Sequence, residues 1–90
     1  MKPIEDAIAS YIAEQILFNK DGYPYPPETS FLDQGIVDSV NILELVMFVE
    51  ENFAISVEDD EITPQNFDSV AKLAHYVEVK NNKHVEEEKY

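Results

Sequence analysis

Apolar residues recur at three- and four-residue steps in three separate stretches of this chain, and that spacing is the strongest constraint on its fold. Ile4, Ala7, Ile8, Tyr11 and Ile12 form the first set. Ile42, Leu45, Val46, Val49 and Phe53 form the second, and Val70, Leu73, Ala74 and Val77 the third. At about 100° per residue, each set gathers on one side of a helix. The β-branched residues do not alternate with polar ones, so no sheet is expected. Ninety residues bound the chain to one domain with a thin core. The expectation is an all-α protein, an irregular four-helix bundle of three main helices plus one short helix. The domain should cover 1–80, followed by a flexible polar tail over 81–90.

Local signals set the expected boundaries. Pro3 suits a first helical turn, Glu5 and Asp6 suit its positive end, and the first helix should reach Phe18. A long connection should follow, from Asn19 to Val37. Its Tyr23-Pro24-Tyr25-Pro26-Pro27 stretch cannot continue a helix, because a residue before proline is pushed towards an extended conformation. A stiff spacer explains it better than a proline-rich recognition motif. Phe31, Leu32, Ile36 and Val37 should pin its second half to the core, with Gly35 at positive φ. Asp38 should cap a second helix ending near Phe53. An acidic turn, Glu58 to Glu61, should lead into a short third helix closed by Ile62. Thr63 to Asn66 reads as a turn, and Phe67 as a plug under the core. Asp68 or Ser69 should cap the last helix.

Charge narrows the function. Nineteen acidic residues face six lysines and no arginine, for a net charge of −13. Such a surface repels nucleic acid and anionic membrane and attracts basic partners, although acidity alone also serves solubility. No apolar run approaches the roughly 18 residues of a membrane span. The N-terminus meets Glu5 and Asp6 at once, which is unlike a secretory signal. There is no cysteine, hence no disulfide and no protein thiol for catalysis. A cytoplasmic, monomeric protein is the expectation. An enzyme is not expected: the two histidines, His75 and His84, lie in the last helix and the tail, far from a candidate nucleophile. No metal site is expected either. Neither Asp33-Gln34-Gly35 nor Glu58-Asp59-Asp60-Glu61 has the alternating ligands of a calcium loop.

Ser39 is the residue of interest. It sits where a structured loop enters the second helix, and backbone N–H groups at a helix start are free to face an anion. A phosphate ester there would be well placed. An Asp-Ser pair is also what a plain helix cap looks like, so position alone leaves both readings open. Away from the core face, Val40, Glu44, Met47 and Glu51 form a mixed acidic and apolar stripe suited to weak, fast docking of a basic surface.

The string Phe31-Leu32-Asp33-Gln34-Gly35-Ile36-Val37-Asp38-Ser39-Val40, followed by Glu44-Leu45-Val46-Met47-Phe48-Val49-Glu50-Glu51-Asn52-Phe53, resembles the signature and second helix of acyl carrier proteins. Ile55, Val57, Asp60, Asn66-Phe67, Ser69-Val70 and Tyr76-Val77 match the family's later helices, so the resemblance runs from about Phe31 to Val77. It implies that Ser39 accepts 4′-phosphopantetheine from coenzyme A, added by a phosphopantetheinyl transferase, and that the arm's thiol holds an acyl group as a thioester. It implies that Asp38 helps to position the transferase's metal and basic groups. Glu44, Glu50 and Glu51 would be acidic partner contacts, and Val40 and Met47 apolar ones. The implied partners are a loading enzyme for acyl or aminoacyl groups, and synthase or transferase enzymes with basic docking surfaces. Ile42, Leu45, Val49, Ile62 and Leu73 would line a space for cargo, unless the core is fully packed. Asn41 stands where many fatty-acid carriers have an acid, and the Asn66-Phe67-Asp68-Ser69-Val70 string looks like discrete carriers of specialised pathways. A polyketide, fatty-acid or related acyl carrier is therefore the main expectation. An aminoacyl or peptidyl carrier is the alternative, and an acidic helical adaptor with no role for the Ser39 hydroxyl is the rival of another class.

Overall fold

The computed structural model describes residues 3–88, with side chains described as far as Asn81. Among the described residues the protein is all-α. Helix α1 spans Pro3–Tyr11 and widens into a π turn over Ile12–Ile16, where the Leu17 N–H donates to the Ile12 carbonyl at 2.9 Å. The continuous helix expected up to Phe18 therefore ends differently. The wide turn keeps both Ile12 and Ala13 buried, and Phe18 then turns the chain out in the left-handed region, at φ 53°.

A left-handed conformation costs a non-glycine residue roughly 1–2 kcal/mol, and Phe18 is 79% exposed, so it returns little packing. Phe18→Gly is expected to stabilise the fold by about 0.5–1 kcal/mol. Urea unfolding of the two proteins would measure it, and a loss of stability would mean that the Phe18 ring packs more than its exposure shows.

The connection that follows is tied to the rest of the chain at several points. The Ala71 N–H donates to the Pro27 carbonyl at 2.8 Å, and the Phe31 N–H to the Asp68 carbonyl at 2.7 Å. Within it lies a one-turn helix not anticipated from the sequence, α2 (Phe31–Gln34), capped by Ser30 and ended by Gly35 at φ 63°. Phe31, Ile36 and Val37 are buried as expected, but Leu32 is 67% exposed. On a single turn, neighbouring residues cannot share the inward direction.

Helix α3 (Ser39–Phe53) begins at Asp38, whose Oδ1 accepts from the Val40 and Asn41 amides at 3.0 and 2.9 Å. Leu45 and Val49 are fully buried, and Ile42, Val46 and Phe53 half-buried. Phe48, on neither expected face, stacks on Tyr11 with centroids 4.2 Å apart and so joins α3 to α1. A 3₁₀ turn over Asp59–Glu61 follows. The expected turn at Thr63 to Asn66 is instead a second one-turn helix, α4 (Pro64–Phe67). Pro64 at its start is the reason: its fixed φ is already helical and its missing N–H is no loss there. Helix α5 (Val70–Glu88) is capped by Ser69, whose Oγ accepts from the Lys72 amide at 3.0 Å. It packs against α1, α3 and α4 and buries Val70, Leu73, Ala74 and Val77. The side chains of His84 and Glu86 to Glu88, in the expected tail, lie outside the described residues.

One polar clasp holds the 3₁₀ turn on α5. Glu61 Oε1 accepts from the Glu58 amide at 2.9 Å, the Tyr76 hydroxyl at 2.9 Å and Lys80 Nζ at 3.0 Å. The Glu58 backbone bond, then those from Lys80 and Tyr76, hold the Glu61 carboxyl below its ordinary 4.5, outweighing its partial loss of solvation. A carboxyl with a depressed folded pKa contributes stability that is complete above its unfolded value and is lost as pH falls through the folded one. Glu61→Gln should thus be less stable than the parent at neutral pH, by about 1 kcal/mol given the partial exposure of the pair. That gap should close below pH 4.5. Denaturant midpoints at pH 7 and in the acid range check it; a gap independent of pH would remove Glu61 ionisation as its source.

Candidate functional site

Ser39 is the first residue of a fifteen-residue helix and its side chain is exposed. Two constraints put it there. Asp38 is extended, at φ −103° and ψ −174°, and fixes the first turn with its own carboxylate. Ile36 and Val37, at 4% and 6% exposure, anchor the chain just before it. Asp38 is therefore the cap, and the Ser39 hydroxyl is not needed for it. The same geometry corrects the electrostatic expectation. The Val40 and Asn41 amides, which would have faced an anion on Ser39, are already used by the Asp38 carboxylate.

Beside Ser39 opens a cleft of about 290 Å³. Phe31 and Leu32 of α2, Val37, Ile42 of α3, Ile62, and Pro64 and Phe67 of α4 give it apolar walls. Asp38, Ser39, Thr63 and Asp68 supply its polar edge. Of the residues expected to line a cargo space, Ile42 and Ile62 border this cleft. Leu45, Val49 and Leu73 do not border it; each has 0% exposure and forms part of the close-packed core. Their faces on α3 and α5 point inward, but a helix face carries no information on depth.

The outward stripe of α3 is exposed at Val40 (67%), Met47 (59%), Glu44 and Glu51. Leu43, also 59% exposed, joins it and was missed, although it stands three residues after Val40 and four before Met47. Glu44 accepts from the Asn41 side chain at 3.0 Å. Glu50 lies apart from the stripe: it is half-buried and accepts from the Val57 amide at 3.0 Å, holding the chain that leaves α3. His75 is exposed on α5. Among the described residues no group of three or more His, Asp or Glu is placed to hold a metal ion, and no helix is long and apolar enough to cross a membrane.

An exposed hydroxyl thus stands at the tip of a long helix, beside an apolar cleft. Residues 6–77 match the model of the family described as phosphopantetheine attachment site. The chain is 35% identical over 83 residues to an acyl carrier protein of Buchnera aphidicola, covering 92% of this chain and 91% of that one. It is 35% identical over 75 residues to an acyl carrier protein of Akkermansia muciniphila (83% and 89% covered), and 31% identical over 71 residues to one of Helicobacter pylori (79% and 86% covered). The chain belongs to the acyl carrier protein family, whose members carry groups rather than catalyse their reactions.

Proposed function

We propose that Ser39 carries a 4′-phosphopantetheine arm donated by coenzyme A, and that the protein holds acyl groups on it as thioesters for delivery to partner enzymes. The carrying observation is the exposed Ser39 hydroxyl, free of the helix cap and bordering an apolar cleft, in a chain of this family. The residues fit the group. The hydroxyl is accessible to a transferase, and the arm would supply the thiol that this cysteine-free chain lacks. The Ser39 Oγ would attack the pantetheine-side phosphorus of the coenzyme A pyrophosphate, forming the Oγ–P bond as the pyrophosphate P–O bond breaks; 3′,5′-ADP departs and the hydroxyl proton passes to a base of the transferase.

The chain's own residues divide the remaining work. Asp38 keeps α3 rigid up to the attachment point. Ile42, Ile62 and Phe67 offer apolar surface to a cargo chain. Val40, Leu43 and Met47, beside Glu44 and Glu51, present a docking face to basic enzyme surfaces, where charge raises the association rate without demanding a tight complex. The apolar cleft favours acyl cargo of a polyketide, fatty-acid or related pathway over aminoacyl cargo. A cytoplasmic monomer belongs to this reading, resting on the lack of cysteine and on the charge of −13. The test is intact-mass measurement after incubation with coenzyme A and a phosphopantetheinyl transferase, with fragmentation to place the adduct. One arm on Ser39 is the expected result; a folded protein of unchanged mass leaves only an acidic helical adaptor.

A further inference from the structure

One wall of the cleft beside Ser39 is a helix too short to stand alone. A single turn makes too few internal bonds to offset the ordering of its backbone. α2 has four residues, and its first amides find their acceptors far along the chain. The Phe31 N–H donates to the Asp68 carbonyl at 2.7 Å, and the Leu32 N–H to Asp68 Oδ1 at 3.0 Å. The Ser30 hydroxyl donates to Asp68 Oδ2 at 2.6 Å and accepts from the Asp33 amide at 3.1 Å. Asp68 joins α4 to α5 and itself borders the cleft, next to Phe67. The Asp68 carboxylate, beside its own backbone carbonyl, therefore fastens the wall that bears Phe31 and Leu32 to the floor that bears Phe67. Leu32, at the edge of the cleft, is 67% exposed, so little apolar packing holds that edge when the carboxylate bonds are removed.

We propose that Asp68, through Ser30 and the Leu32 amide, is a positioning residue that latches α2 over the cleft and so sets how well an apolar group on Ser39 is shielded from solvent. This rests on the reading of Ser39 given above. The latch acts on the wall and not on the attachment point: Ile36 and Val37 stay buried between them, and Asp38 caps α3 separately. Loosening it should expose the thioester without preventing attachment.

The test uses Asp68→Ala and Ser30→Ala, each removing bonds of the same latch. In the protein without the arm, amide hydrogen exchange by NMR should quicken about tenfold at Leu32 in Asp68→Ala and at Asp33 in Ser30→Ala, the effect of losing one ordinary hydrogen bond, with Val70 to Val77 unchanged. The cleft is roughly twice the ~150 Å³ that admits benzene, so an octanoyl group is a suitable probe. Loaded with octanoyl-phosphopantetheine, both variants should lose the acyl group to hydroxylamine several-fold faster than the parent. The double variant should lose it no faster than the quicker single one, because the residues act as a unit. Parent-like cleavage in variants whose α2 amides have loosened overturns the latch, and so does unchanged exchange at α2. Should Asp68→Ala fail to fold, Ser30→Ala decides alone, since it leaves the Leu32 bond in place. A parent protein that takes up no arm would defeat the reading of Ser39 instead, and mass measurement before loading separates that outcome.

Discussion

Ser39→Ala is expected to take up no phosphopantetheine at all and to melt at the temperature of the parent. The two halves of this result have separate causes. Loss of the adduct follows from loss of the one hydroxyl in the first turn of α3. Unchanged stability follows because the amides of the first turn are satisfied by Asp38 and not by Ser39. Asp38→Ala is the matching control. It strips the acceptor from the Val40 and Asn41 amides and should cost about 1 kcal/mol, as N-cap truncations do. Intact mass and thermal unfolding of the pair separate anchor from cap. A Ser39→Ala protein as destabilised as Asp38→Ala would make the serine a structural residue, and retained pathway activity in it would favour the adaptor reading.

Leu45→Ala is expected to lose about 2–5 kcal/mol, the range for truncating a leucine with no exposed surface in a packed core. Against a total of about 5–15 kcal/mol for a domain, and the lower end for a chain this small, that is enough to leave a substantial unfolded population. Met47, on the same helix but 59% exposed, is expected to behave in the opposite way. Met47→Ala should stay within about 0.5 kcal/mol of the parent, as surface changes do, while weakening docking of a basic partner. Denaturant unfolding of both, with partner binding of Met47→Ala, is the measurement. An unfolded Met47→Ala protein would move that side chain into the core and dissolve the docking face.

The contrast between Leu45 and Met47 was legible in the sequence because helical periodicity alone assigns a side to each residue. The Asp38 cap was legible for a similar reason, being a local bond over two or three residues. The one-turn helices were not read, although each has a short signal. Ser30 followed three residues later by Asp33 marks the start of α2, and Thr63-Pro64 the start of α4. Such signals are common in loops, and what decides for α2 is a contact with Asp68, distant in the chain. The cleft was half-legible. Ile42 and Ile62 border it, but Phe31, Pro64 and Phe67 reach it from segments that only the tertiary fold brings together. The Glu61 clasp lay out of reach for the same reason: Tyr76 and Lys80 meet a residue 15 and 19 positions earlier.

That the Asp38 carboxylate already occupies the Val40 and Asn41 amides at the tip of α3 has a bearing on how a group tethered at Ser39 would move. On the proposed reading, a phosphodiester rooted there would gain nothing from those two amides, and its root would be left to pivot. Cations to steady it would then come from whichever enzyme the protein visits, and would withdraw with it. Hand-over would in that case be steered by the visitor, the host contributing a stiff post with a loose hinge on top.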